Sequence, residues 1–260
     1  MAILESRTQT GMTWVKESIA LFKTAPRKWL LLALIYLGLF VMLPSIPILQ
    51  FFVFVSILLW PVFLAIAIAL YRNADMKKQQ TLAEVTRNIQ PKILQLMALG
   101  GACLLYAVLI SIVLNSDLQS LATLAQNKDK MTESQMLAFI QKMLPVMLKM
   151  LLLSIPLLMA TWFSPMLIAF NNYSLVKAVK SSIAGSLQYI VALTAAWLLL
   201  TCGILALMMG VGIIGGVVSA LVPALGQLLI PFVLFGCMLL ATALMLAFQY
   251  VSYRDVFRAA

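Results

Sequence analysis

Long apolar runs separated by short basic stretches set the pattern of this 260-residue chain. Positions 29–71 hold no Asp, Glu, Lys or Arg, and neither do positions 181–253. A helix crosses a bilayer core with roughly 20 apolar residues, so each run predicts two crossings. In the first, Pro44 and Pro47 predict a tight turn. In the second, spans are predicted over 188–209 and 228–249. The Gly-rich but apolar stretch 210–227 is expected to bend in or near the outer leaflet. Between these runs, a third span is predicted from about Ile93 to Leu114 and a fourth ending near Phe170. Positions 115–142 are the longest polar segment. There Leu118, Leu121 and Ala125 continue a helical stripe, and Thr132 with Gln135 has helix-cap spacing. Spans three and four are therefore expected to overrun the bilayer and carry a small helical hairpin, its tip near Asn127–Lys130. A β-barrel strand alternates apolar with lumen-facing polar residues. Here both alternating faces are apolar, which leaves helices.

A basic amphipathic segment precedes each pair of spans. Positions 1–12 lack periodicity and read as a loose tail. Val15, Ile19 and Phe22 then form a stripe away from Lys16, Glu17 and Lys23, as in a helix lying on a membrane surface. Pro26 ends it. In the second unit Thr81 and Glu84 match a capping box, Leu82, Val85, Ile89 and Ile93 share a stripe, and Pro91 interrupts. In the third, Leu175, Val179, Ile183 and Leu187 form the apolar side, with Lys177, Lys180, Ser181 and Ala184 opposite and Gly185 at the hinge position. This is a weak threefold repeat, with units starting near Trp14, Leu82 and Leu175. The expected architecture is all-α and polytopic: six transmembrane helices in three hairpins, each preceded by a short cytoplasmic amphipathic helix. It forms a single membrane domain, 1–260, with hairpins at 13–71, 81–170 (extension 115–142) and 174–250.

Composition agrees with that class: 63% of residues are hydrophobic, 10% are charged, and mean hydropathy is +1.05. Charge orients the chain. Of 18 Lys and Arg, 14 lie in 1–28, 72–92, 171–187 and 251–260, and the others are Lys128, Lys130, Lys142 and Lys149. Basic residues stay on the cytoplasmic side, so both termini are expected there, in a bacterial inner membrane. The polar start and the absence of a short apolar run with a small-residue cleavage site argue against a cleaved signal peptide. Lys149 is expected to snorkel to the outer headgroups.

Catalytic chemistry finds few candidates. The chain has no histidine, which removes the commonest general base and metal ligand. Its acidic residues fall in extramembrane or boundary segments, and no Walker, Gly-x-Ser-x-Gly or GxGxxG pattern is present. The expectation is a protein that is not an enzyme and has no cofactor. Cys103, Cys202 and Cys237 lie in apolar runs without CxxC spacing. Met143, Met147 and Met150 share a helical face but read as packing, so no metal site is expected. The +10 net charge flanks apolar runs on one side, as anionic headgroups require, and does not point to nucleic acid. Gly212, Gly216 and Ala220 have the small-xxx-small spacing of a packing face, or else of a turn.

Span four carries Pro145, Pro156 and Pro165, which free backbone carbonyls, with Ser154, Thr161, Ser164, Asn171 and Asn172 as polar neighbours. Broken helices with unpaired backbone at membrane depth line transporter sites. The candidate ligand-lining set is Pro156, Thr161, Ser164, Pro165, Asn171 and Asn172. The candidate headgroup-binding set is Lys177, Lys180, Arg87, Lys92, Arg27 and Lys28.

The run Trp14-x-x-x-Ser18-x-x-x-Phe22-Lys23-x-x-Pro26 resembles the opening of an uncharacterised proteobacterial six-helix membrane family known from Burkholderia. Leu175-x-Lys177-Ala178-x-Lys180-x-Ser182 and Tyr250-x-x-Tyr253-Arg254-Asp255-x-Phe257 are similar to the broader YciC-like and glycerophosphodiester-phosphodiesterase membrane-domain group. The resemblance implies a six-helix bacterial inner-membrane protein and brings no reaction with it. Two functions are expected. One is a non-catalytic accessory, scaffold or assembly factor with membrane lipids and an envelope protein as partners. The other is a carrier or facilitator for a lipid or other hydrophobic molecule, using the proline-kinked fourth helix.

Overall fold

A computed structural model describes residues 2–125 and 133–257, and all of its regular elements are helical. Six helical stretches are long and apolar enough to cross a membrane: Pro26–Ser45, Phe52–Asp75, Leu82–Val113, Phe139–Asn171, Ile190–Leu221 and Pro223–Phe257. The protein is an all-α polytopic membrane protein.

The first unit is α1 (Ala2–Thr24), α2 (Pro26–Leu37) and α4 (Phe52–Asp75). Pro26 opens α2, where its missing N–H costs nothing. Beyond α2 the helix widens into one π-helical turn, Gly38–Met42, closes with α3 (Leu43–Ser45), and reverses at Ile46 into a 3₁₀ turn, Pro47–Leu49. The predicted turn is therefore where the two prolines place it. Ser56 on α4 donates to the Leu39 carbonyl of the π turn at 3.0 Å.

The second unit starts with α5 (Leu82–Ile89), whose Thr81–Glu84 capping box is formed in both directions. A 3₁₀ turn at Gln90–Lys92 holds Pro91 and leads into α6 (Ile93–Val113). Leu114 separates α6 from α7 (Asn115–Ala125). The chain returns in α8 (Glu133–Trp162) and α9 (Ser164–Asn171). The hairpin tip at Asn127–Lys130 and the cap formed by Thr132 with Gln135 lie outside the described residues, as does Arg258. Lys149, expected at the outer headgroups, pairs with Asp117 on α7 at 2.8 Å and stays exposed. The third unit is α10 (Leu175–Gln188), α11 (Ile190–Leu221) and α12 (Pro223–Phe257).

Three expectations are corrected. Residues 2–12 are not a loose tail; they are the first half of α1, packed against α11. Gly11 permits that approach, because a Cβ there would lie 2.5 Å from the Ala192 carbonyl oxygen. Arg7 adds a 2.6 Å bond to the Gln188 carbonyl at the end of α10. The buried face of α1 is Gly11, Trp14, Ser18 and Leu21, while Val15, Ile19 and Phe22 are half-buried. α10 likewise buries Ala178, Ser182, Gly185 and Ser186, leaving Leu187 exposed. Gly185 is no hinge: it stays helical against Phe257, and the chain breaks at Tyr189. The bend expected within 210–227 does occur, at the single residue Val222 with φ −139° and ψ 88°, while positions 210–221 continue α11.

The large buried side chains gather where the two ends of the chain meet. This end is called the terminal face below. Trp29 stacks on Tyr71 at 3.9 Å, and the Tyr71 hydroxyl donates to the Ala243 carbonyl at 2.9 Å. Arg254 on α12 is held by Glu17 of α1, by Asp75 of α4 at 3.1 Å and by Asp255 at 3.0 Å. Trp14 Nε1 donates to Asp255 at 2.8 Å, and the Tyr250 hydroxyl donates to Asp75 at 2.7 Å. One guanidinium with its five fixed donors thus joins three helices. Toward the other end the apolar side chains turn outward, among them Ile112 and Leu144 at 69% exposure each. Lipid tails are as apolar as these side chains, so their exposure carries no cost in a bilayer.

Candidate functional site

The α8–α9 junction is the most irregular backbone among the described spans. Pro165 has no N–H to give the carbonyl four residues back, and Phe163 leaves the helix with φ −109° and ψ −15°. Several backbone groups near the break take side-chain partners. Ser182 on α10 donates to the Met159 carbonyl at 2.7 Å and accepts the Phe163 N–H at 3.0 Å. The Ser164 hydroxyl turns back to the Ala160 carbonyl, and Gln249 Nε2 on α12 donates to the Trp162 carbonyl at 2.8 Å. Thr161 donates to Leu157 at 2.7 Å. Buried polar backbone is costly unless paired, and here α10 and α12 pair it.

Beside this junction lies a half-open cavity of about 390 Å³ between α2 with its π turn, α4, α6 and α8. Its walls are chiefly apolar, with Phe40, Trp60, Cys103 and Leu157 among them and Tyr36 and Thr161 supplying hydroxyls. The π turn contributes Phe40 to one wall, and Pro44 follows it there. Leu158, at the rim, is 53% exposed.

Of the predicted lining residues, the structure brings only Thr161 to this cavity. Pro156 is exposed on α8. Ser164 and Pro165 are buried in the junction. Asn171 accepts the Tyr253 hydroxyl, and Asn172 ends α9 in the left-handed region at φ 54°. Ser182 and Gln249 were missed as partners of the break. The sequence signal for Ser182 was the small-residue stripe Ala178, Ser182, Gly185, masked by the apolar stripe beside it.

The predicted headgroup cations are spread over the terminal face. Arg27, Lys28, Arg87, Lys177 and Lys180 are exposed, and Lys92 is half-buried. Lys28 lies 5.3 Å from the Trp29 ring centroid and Lys177 4.1 Å from that of Tyr173, cation–π geometry suited to the membrane interface. Among the described residues no group of three or more His, Cys, Asp or Glu side chains is placed to hold a metal ion. Compared with known proteins, the chain matches no family model, no curated protein and no solved structure.

Proposed function

We propose that this protein is a non-catalytic carrier or facilitator for a lipid or another hydrophobic molecule, held in the cavity between α2, α4, α6 and α8. The cavity is the observation that carries this reading. Its volume of about 390 Å³ falls in the range of ligand sites, roughly 300–1,000 Å³. The walls are apolar with few hydroxyls, and its rim at Leu158 faces the lipid side. The bridged junction of α8 and α9 gives that wall a fixed shape. We place the protein in a bacterial inner membrane with both termini cytoplasmic, on the asymmetry of Lys and Arg; the resemblance in Trp14–Pro26 and Tyr250–Phe257 supports the same placement.

The test is photolabelling of the full chain in lipid nanodiscs with a diazirine fatty acid. Expected is labelling concentrated on peptides containing Tyr36, Trp60 and Leu157, and its loss in Ala107→Trp, which fills the cavity. Labelling spread evenly over all lipid-facing helices, or unchanged in the filled variant, ends this reading.

A second reading, an accessory or assembly factor of the cell envelope, is favoured by α7, whose exposed face lies beyond the bundle and is tied to α8 by Lys149 and Asp117. Co-purification after gentle detergent extraction tests it, and a lone chain without a reproducible partner rules it out.

A further inference from the structure

Arg72 and Arg254 both sit at the terminal face, yet their surroundings are opposite. Arg254 is met by three carboxylates. Arg72 has no carboxylate within ion-pair distance among the described residues, although it is half-buried. Asp75, three residues further along α4 and a natural neighbour on the helix surface, is committed to Arg254 and Tyr250 instead. The Arg72 guanidinium lies 5.2 Å from the centroid of the Phe170 ring. An arginine that merely ended a span would reach into water. This one lies back against an aromatic face, in the wall of a pocket of about 210 Å³.

The polar side chains of that pocket supply further donors beside an apolar floor that includes Val85 and Ile89. Lys78, Asn73, Gln80 and Asn88 line it, and its wall contains no Asp or Glu. The backbone turns Lys78 and Gln80 over the end of α4: Lys77 adopts the left-handed region at φ 56°, its N–H bonds the Ala74 carbonyl at 3.2 Å, and the Lys78 N–H bonds the Asn73 carbonyl at 2.8 Å. That is a Schellman motif with lysine where glycine is usual. Asn73 Nδ2 donates to Gln80 Oε1 at 2.9 Å, which fixes the Gln80 amide and leaves its NH₂ as a donor. Two cations and two amide donors, with no compensating carboxylate, define an anion site. A planar guanidinium fork matches a phosphate oxygen pair.

We propose that this pocket binds a phosphate group, with Arg72 as the bidentate ligand and Lys78 as the second charge. The site lies at the opposite end of α4 from the apolar cavity and does not depend on it. A lipid headgroup and free phosphate share this chemistry. The bilayer interface, where Trp29 and Tyr71 stack nearby, offers the first; the adjoining aqueous phase offers the second.

The experiment is a thermal-shift titration of the full chain in maltoside detergent at low salt. The probes are inorganic phosphate, dihexanoyl phosphatidic acid below its micelle concentration, and dihexanoyl phosphatidylcholine. Expected is saturable binding of phosphatidic acid or inorganic phosphate, weakened at least tenfold by Arg72→Gln and several-fold by Lys78→Gln, and unaffected by Arg27→Gln with Lys28→Gln. Saturation by phosphatidic acid alone identifies a lipid headgroup site; equal affinity for inorganic phosphate identifies a soluble anion. Should neither saturate, or the Arg27/Lys28 pair weaken binding as much as Arg72→Gln, the proposal is overturned. Lys78 lies on an exposed turn outside any helix, so Lys78→Gln decides the matter even where Arg72→Gln fails to fold. Parent-like binding by Lys78→Gln, with Arg72→Gln unfolded, also overturns it.

Discussion

The hydroxyl of Ser182 stands between Phe163 and the helix it has just left, accepting the Phe163 N–H at 3.0 Å while donating to the Met159 carbonyl at 2.7 Å. Met159 and Phe163 are four apart, so a side chain on α10 takes the place of one helical hydrogen bond in span four.

Removing that hydroxyl leaves one buried donor unpaired and weakens the pairing of one carbonyl, since Ser186 reaches Met159 only at 3.4 Å. Ser182→Ala is expected to lower stability by about 1–3 kcal/mol. Thermal unfolding in detergent reads the loss. Ser181→Ala, on the neighbouring half-buried position, is the control expected to change little.

α6 approaches α4 closely at Gly100, where an added Cβ would stand 2.6–2.7 Å from the Leu58 and Ile57 carbonyl oxygens. Backbone cannot rotate away as a side-chain tip can. Gly100→Ala is therefore expected to cost roughly 1–3 kcal/mol by overpacking, and Gly101→Ala, where the added Cβ would meet the Leu58 side chain at 3.9 Å, almost nothing. The same unfolding assay distinguishes them.

Lys77 holds φ 56° at the end of α4, a region that disfavours residues with a Cβ. Lys77→Gly relieves this strain, partly offset by the greater freedom of glycine in the unfolded chain. The net expectation is a gain of about 0.5–1 kcal/mol. A lower unfolding temperature in Lys77→Gly would contradict the assigned turn.

Six crossings place the segment around Lys128 and the C-terminus on opposite sides. Fusing one reporter near Lys128 and another after Ala260 is expected to give signals from different compartments. Agreement between the two reporters would refute the odd number of crossings between Lys128 and the C-terminal residue.

The spans were legible because charge is expensive in hydrocarbon, so the gaps between charges mark crossings directly. Pro26 and Pro91 were legible as breaks because proline lacks an N–H whatever its surroundings. Gly185 was misread because glycine serves two ends, a bend or a close approach, and only the neighbour decides; here that neighbour is Phe257. The buried faces of α1 and α10 were misread for a different reason. In water an apolar stripe seeks the protein interior, but in a bilayer it is equally at home in lipid. The residues that bring helices together there are small, as Gly11, Ala178 and Ser182 are. The cavity had no sequence signal beyond Thr161, because it depends on the π turn at Gly38–Met42 and on the distance between two helices far apart in the chain.

The single-residue reversal at Val222 has a mechanical consequence. α11 has 32 residues and α12 has 35, lengths of roughly 48 and 52 Å at about 1.5 Å per residue, against a hydrocarbon thickness of about 30 Å. Neither arm holds an ionisable Asp, Glu, Lys or Arg between Ile190 and Tyr253. Such a hairpin satisfies its hydrophobic mismatch by leaning steeply or by stretching the surrounding lipids.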